Sequence, residues 1–290
     1  RRAKSTIGSY RLYLSDFLTH LGSRGVVHTA DISESDILTF VSSHPSDKVN
    51  IVSALRVLFR FWKEERITDS RFDELFDTYK AHRKERIPSF FTPGEVMRIE
   101  DSISRTSGVG KRNYAMVLLA SRLGLRASDI AGLRFSDIDW DRNTITITMQ
   151  KTGKIIELPL LADVGNAIID YLRHGRRNSP LQNVFISERA PYVAATPEMV
   201  SNAIRAIVIR SGVDTSSRHH GPHSLRHSLA SAMLDGGTMI PVISESLGHR
   251  STQTTLTYLK IDIRSLLKCS LPVPAVSDSF YMQRGGAFYG

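Results

Sequence analysis

In the stretch PHSLRHSLASAMLDGG, Pro222 suits the first turn of a helix, and His223 and Arg226 then fall on one helical face. That face offers an imidazole and a guanidinium to a single ligand. His227 stands four residues after His223, a spacing seen in zinc helices. The Glu that follows the first His in such helices is absent, however, and so is a third ligand. Further along, IPVISESLGHRS reads as a short helix opened at Pro241 and stopped by Gly248 in the left-handed cap position, which throws His249 off the helix end. Tyr258 follows in STQTTLTYLKI, a segment that Ser251 could cap as the next short helix. Upstream, SRLGLRASDIAGLRFSDI carries Arg126 just beyond an apolar helix. KTGK, at 151–154, joins the alternating stretches TITIT and IIELPL, and Gly153 supplies the freedom a tight turn needs, so a lysine rides the tip of a hairpin.

These groups need a scaffold, and the apolar periodicity predicts a mainly helical one. Residues 5–22 place Ile7, Tyr10, Leu14, Phe17 and Leu21 at helical spacing, with Ser5 as cap and Gly22 as stop. A second helix is expected over 33–41 behind Asp31, a third over 47–65, and a fourth over 72–80. In the third, Val52, Leu55, Leu58, Phe59 and Trp62 form the apolar face, and Arg56, Arg60 and Lys63 lie off it. The run YKAHRKERIPSFFTPGE then ends helical character at Pro88 and Pro93 and carries Lys80, Arg83, Lys84 and Arg86. The resulting division is a helical unit at 1–82, a basic linker at 83–92, a second unit at 93–273 and a tail at 274–290. Beyond the linker the pattern is helical through 163–174, 197–211, 223–235 and 241–247, interrupted by a strand pair at 143–149 and 155–160.

Composition narrows the function class. Lys and Arg number 38 against 29 Asp and Glu, a net charge of +9 that favours a polyanionic partner. The lone cysteine, Cys269, allows no internal disulfide and no cysteine-based metal site, which fits a reducing compartment, the cytoplasm. No apolar run approaches the ~20 residues of a bilayer span. The chain opens RRAKST with no apolar stretch behind it, so neither a secretory signal nor an anchor is expected.

GLRASD at 124–129, the lysine hairpin at 151–154, HSLR at 223–226, LGH at 247–249 and Tyr258 together resemble the catalytic domain of the tyrosine recombinases, the phage-integrase family. The first unit is similar to that family's helical core-binding domain. The resemblance implies a helical core-binding domain joined to an α+β catalytic domain, and DNA strand exchange through a 3′-phosphotyrosyl intermediate. Carried over position by position, Tyr258 is the nucleophile, and Arg126 and Arg226 clamp the non-bridging phosphate oxygens. Lys151 protonates the leaving 5′-oxygen, His249 binds the phosphoryl oxygen, and His223 assists proton transfer or positions the tyrosine. Elementary chemistry agrees, because planar guanidinium forks suit a phosphate that gains charge, and a phenol with pKa near ~10 needs a base or nearby cations to attack at neutral pH.

Two positions depart from the family pattern. Asp129 stands where the family more often has Glu, and Lys154 competes with Lys151 for the acid role; the resemblance favours Lys151, which lies 25 residues after Arg126 and ahead of Gly153 as the family arranges them. Tyr281 and Tyr289 lack the spacing from His249 that would make them nucleophiles. Neither metal nor cofactor is expected. The implied partners are double-stranded DNA with specific sites and further copies of the chain, a dimer on one site and a tetramer in the synapse. Other recombinases of the same mobile element are also possible partners. DNA contacts are assigned to Arg56, Arg60, Lys63, Arg83, Lys84, Arg86 and Lys154, and trans-docking to Leu266, Leu267, Phe280 and Tyr281. The alternatives are a type IB topoisomerase-like relaxing enzyme and a catalytically silent DNA-binding protein.

Overall fold

The computed structural model describes residues 4–68, 72, 74–76, 89–150, 153–216 and 218–248. The chain divides into two units, Arg1–Arg86 and Ile87–Gly290. In the first, α1 (Lys4–Ser23), α2 (Glu34–Ser43) and α3 (Lys48–Glu64) turn their apolar stripes toward one another. Phe17 and Leu21 of α1, Ile37 and Phe40 of α2, and Ile51, Leu55 and Phe59 of α3 share a core with Phe72 and Phe76. Aromatic edges lock that core: Phe17 lies 5.2 Å from Phe40 and Phe59 lies 5.5 Å from Phe72, ring to ring.

α2 begins one residue later than the sequence predicts, and its cap differs. Asp31 ends a separate short 3-10 turn, Thr29–Asp31, and the cap is Ser33, whose Oγ accepts from the Asp36 backbone N–H at 3.2 Å. Asp36 Oδ2 accepts in return from Ser33 N at 3.1 Å, which closes a capping box with an aspartate where Glu or Gln is usual. α1 likewise starts at Lys4 and runs through Gly22 to Ser23; the left-handed turn comes at Gly25, φ +78°. The fourth helix expected over 72–80 falls mostly outside the described residues.

The second unit is built around α5 (Gly108–Arg122), where Ala115–Ala120 are buried without a break. A helix apolar on every side must run through the middle of a domain. It packs on α4 (Pro93–Asp101), α7 (Ala162–His174), α8 (Pro197–Arg210) and α9 (Pro222–Asp235), and α10 (Ile240–Ser246) lies against α9. A short helix, α6 (Ala127–Gly132), leads to an antiparallel sheet ordered β1-β2-β3. β2 (Thr144–Thr148) turns Ile145 and Ile147 inward and its threonines outward, and β3 (Ile155–Pro159) matches it with Ile156 and Leu158. The pairs Ile145↔Leu158 and Ile147↔Ile156 keep both buried sets on one face.

The mainly α fold with a small sheet is as the sequence predicts. β1 (Ile138–Asp139) is an addition: two residues are too short to show alternation. Asp139 ends it by accepting backbone N–H groups of Asp141 and Arg142 at 3.1 and 2.9 Å, which starts the turn into β2. Among the described residues no helix is long and apolar enough to cross a membrane.

Phe185 is fully buried and stacks on Tyr171 at 5.6 Å, outside any regular element. Phe185→Ala is expected to cost about 3–5 kcal/mol of stability, measured by urea unfolding.

Candidate active site

Arg226 is the most constrained candidate residue. It sits on the second turn of α9, is 2% exposed, and reaches away from its own helix to two backbone carbonyls. Nη1 donates to Gly124 O at 2.5 Å, and Nη2 donates to Leu247 O. Gly124 follows the end of α5 and Leu247 is the cap residue of α10, so the guanidinium bridges two helix C-termini. There the last carbonyls have no partner within the helix and the macrodipole is negative, which suits a buried cation.

This bridge demands a close approach. Gly124 has φ +64°, and a Cβ there would come within 2.6 Å of Leu247 Cδ2 and 3.1 Å of Leu229 Cδ2. Glycine meets the backbone requirement and the packing requirement at once. Two residues on, Arg126 occupies the extended N-cap position of α6, so its side chain leaves the chain at the junction of α5 and α6.

Arg126 is positioned from below by α6 and the sheet. Its Nη1 lies 3.9 Å from Asp129 Oδ2 and 3.8 Å from Met149 Sδ. The Asp129 side chain is fully buried; Oδ1 accepts from Gln150 N at 3.0 Å, and Oδ2 has no hydrogen-bond partner. The aspartate thus holds Arg126 by charge at a distance slightly beyond a hydrogen bond, and holds the end of the hairpin by a true one. A polar cavity of about 220 Å³ adjoins it, lined by Gly132, Arg134, Asp137, Ile147, Thr148 and Gln150. A second cavity of about 210 Å³ shares no residue with these groups and borders Gly108, Tyr171 and Ile186.

Met149 is a contributor that carries no sequence signal. Its N–H donates to Lys154 O at 2.9 Å, and its carbonyl accepts from Gly153 N at 2.7 Å, closing the turn that contains KTGK. Gly153 has φ +70°, as the turn reading requires. The Met149 side chain packs beneath Gly248, where a Cβ would fall 2.7 Å from Met149 Cε. Gly248 has φ +57°, the left-handed cap expected for the end of α10.

His223 is exposed, and its ring lies 5.6 Å from that of His227 at 19°. Burial, then the neighbouring His223 and Arg226 charges, pushes His227 down to about 4. His227 is therefore neutral at working pH and serves as a flat support for His223. Among the described residues no cluster of three or more His, Cys, Asp or Glu could hold a metal.

The structure therefore brings Arg126, Arg226, the base of the lysine hairpin and the end of α10 to one place, with His223 one turn before Arg226 on α9. Gln150 precedes Lys151 and Gly248 precedes His249; Lys151, His249 and Tyr258 themselves lie outside the described residues, as do Arg83, Lys84, Arg86 and the whole tail with Cys269. In the first unit the α3 cations differ in setting. Arg56 donates to the Phe76 carbonyl, Lys63 lies 4.0 Å from Glu74, and Arg60 is exposed. Lys154 is exposed on the hairpin.

Two guanidinium groups thus meet at helix ends beside the base of the hairpin. The chain belongs to the phage integrase family, whose model matches residues 89–264. A Sinorhizobium fredii protein, y4rA, described as an integrase/recombinase, is 34% identical over 94% of this chain and 67% of its own length. Tyrosine recombinase XerD of Mycobacterium leprae is 30% identical over 91% of this chain and 89% of its own. Among solved structures, XerH bound to a palindromic difH substrate after cleavage superposes with a TM-score of 0.75 at 20% identity, covering 91% of this chain and 78% of that one. A lambda integrase tetramer bound to a Holliday junction gives 0.64 at 18% identity, covering 89% and 72%.

Two outcomes follow from this geometry. Gly124→Ala is expected to lower stability by at least ~1–2 kcal/mol from the left-handed backbone alone, seen as a lower denaturant midpoint. His227 binds its proton more weakly folded, at about 4, than unfolded, near 6.5. Stability is therefore greatest above about pH 6.5, declines as pH falls and levels off below about pH 4. Thermal melts of His227→Gln across that window should show a shallower decline than the wild type.

Proposed function

We propose that this chain is a site-specific DNA recombinase that cuts and rejoins strands through Tyr258. In the reaction, the Tyr258 hydroxyl loses its proton and attacks the scissile phosphorus. The bond to the 5′-oxygen breaks, and a 3′-phosphotyrosyl ester remains. Lys151 gives its proton to the departing 5′-oxygen, and a DNA 5′-hydroxyl later reverses the step on a new partner strand. Arg126 and Arg226 stabilise the charge that develops on the non-bridging oxygens, His249 binds the phosphoryl oxygen, and His223 handles the tyrosine proton or its placement. The ester keeps the bond energy, so the chemistry asks for neither ATP nor a divalent ion.

The observation that supports this reading best is the convergence on Arg226. A buried guanidinium ties together the turn before Arg126 and the end of the helix before His249. Several groups acting jointly are needed, since one oxyanion-type donor contributes about 10²–10³ in rate and acid–base catalysis about 10²–10⁴. The solved relatives hold cleaved recombination sites and Holliday junctions. By extension this chain acts on two duplexes as a tetramer, with a dimer on each site, for a mobile element in a bacterial cytoplasm at the nucleoid. Its net charge of +9 favours such a partner.

The deciding experiment incubates the protein with nicked suicide DNA carrying element ends, without metal, and resolves the products on a denaturing gel. A covalent adduct is expected from the wild type and not from Tyr258→Phe; an adduct that survives the substitution removes Tyr258 as nucleophile. Arg126→Lys is expected to cut adduct formation by about 10²-fold or more while most DNA affinity stays, because a point charge cannot reproduce a fork. Binding itself should weaken with salt at a log–log slope near −0.9 per phosphate contacted.

A further inference from the structure

Ser89, Phe90 and Phe91 are the first described residues of the second unit, and they are knotted to the start of α9. His219 N donates to Ser89 Oγ at 3.0 Å, and Arg218 Nη1 donates to Phe90 O at 3.2 Å. Phe91 N donates to Ser228 Oγ at 2.7 Å, in the buried interior, and Ser228 Oγ donates in turn to Ser224 O at 2.8 Å. Ser224 Oγ donates back to His219 O. Ser224 and Ser228 flank His223, Arg226 and His227 on the same two turns of α9.

An ion pair clamps this knot from outside. Arg218 donates to both carboxylate oxygens of Glu95, at 3.0 and 2.7 Å, and its guanidinium lies 5.1 Å from the centre of the Phe91 ring. Glu95 Oε2 also accepts from Thr92 N at 2.8 Å as half of the capping box that starts α4. One carboxylate therefore fixes the N-terminus of α4 and the loop that feeds α9. The pairing is strong enough to hold Glu95 down at about 2, chiefly through Arg218. The two charges are spent on each other although 123 residues separate them in the chain.

We infer that Arg218, through its bidentate pair with Glu95, is a positioning residue for His223 and Arg226: it fastens the chain entering this unit to the first turns of α9. Any force on the entering chain is then delivered to the helix that carries both side chains. This inference rests on the recombinase reading for its catalytic consequence, and on the hydrogen-bond network alone for the mechanical tie.

The test uses the full-length chain with Arg218→Ala and with Glu95→Gln, which removes the charge but retains a residue able to complete the capping box. Lys111→Ala is the control for stability: it removes an ion pair of 2.7 Å to Asp170, between α5 and α7, that touches no candidate site residue. Two readouts are taken at matched fractions folded. Amide hydrogen exchange over 223–228 is expected to quicken about tenfold or more in Arg218→Ala and to stay at wild-type values in Lys111→Ala. At saturating suicide DNA, adduct formation is expected to slow about 10- to 100-fold in Arg218→Ala and Glu95→Gln, with DNA affinity within about threefold of wild type. Exchange over α9 unchanged in Arg218→Ala overturns the tie. Faster exchange with an adduct rate equal to that of Lys111→Ala overturns the positioning role. Absence of adduct from the wild type on DNA that it binds overturns the recombinase reading, and with it the catalytic consequence, whatever the exchange shows.

Discussion

A guanidinium buried to 2% exposure must be answered by oxygen, because an unpartnered charge in a protein interior costs several kcal/mol. Arg226 is answered in part by two carbonyls at the C-terminal ends of α5 and α10. That choice sets much of the second unit. The ends of two helices must meet over the second turn of a third, and the chain at their meeting point must be a glycine in the left-handed region with leucine methyls packed against its Cα. The same carbonyls that satisfy the arginine also define where the chain departs toward Arg126 on one side and toward Gly248 on the other.

Around that bridge, charge and packing divide the work. Asp129 is sealed from water and serves two neighbours, Arg126 by Coulomb attraction and the Gln150 backbone by a hydrogen bond. In a low-dielectric setting such a carboxylate has a long reach, so a separation of 3.9 Å still orients the cation. Met149 closes the hairpin turn with its backbone and seats Gly248 with its side chain. A thioether, flexible and polarizable, fits a gap bounded by a guanidinium on one side and a bare backbone on the other. The helical interior around α5 is what lets these small contacts hold their places, since its unbroken apolar run leaves no room for the ends to drift.

The cations of the chain are not one population. Some are consumed by architecture: Arg176 donates to the carbonyls of Leu181, Asn183 and Val184, and Arg122 pairs with the buried Glu100. Others, such as Arg60 and Lys154, are exposed at the surface. A net charge of +9 is therefore a poor guide to any single contact, though it states well the sign of the partner.

Periodicity and short motifs are local properties, and they were readable. Helical stripes, the alternation of TITIT, the glycine turn in KTGK and the cap at Gly248 all follow from the preferences of neighbouring residues, and the elements found match them to within a residue or two. The order of GLRASD, KTGK, HSLR and LGH in the sequence was enough to indicate the family. Local preference could not separate Ser33 from Asp31 as the cap of α2, nor reveal a strand as short as Ile138–Asp139. What remained hidden was every interaction between residues distant in the chain: Arg226 with Gly124 across 102 residues, Arg126 with Met149, Glu95 with Arg218. Backbone carbonyls have no letter in a sequence, and a methionine at the end of a strand looks like any other core residue. The identities of the chemical groups were thus written locally, while their mutual placement was decided by the packing of helix ends, because only a folded interior can bring carbonyl, sulfur and carboxylate to bear on the same two arginines.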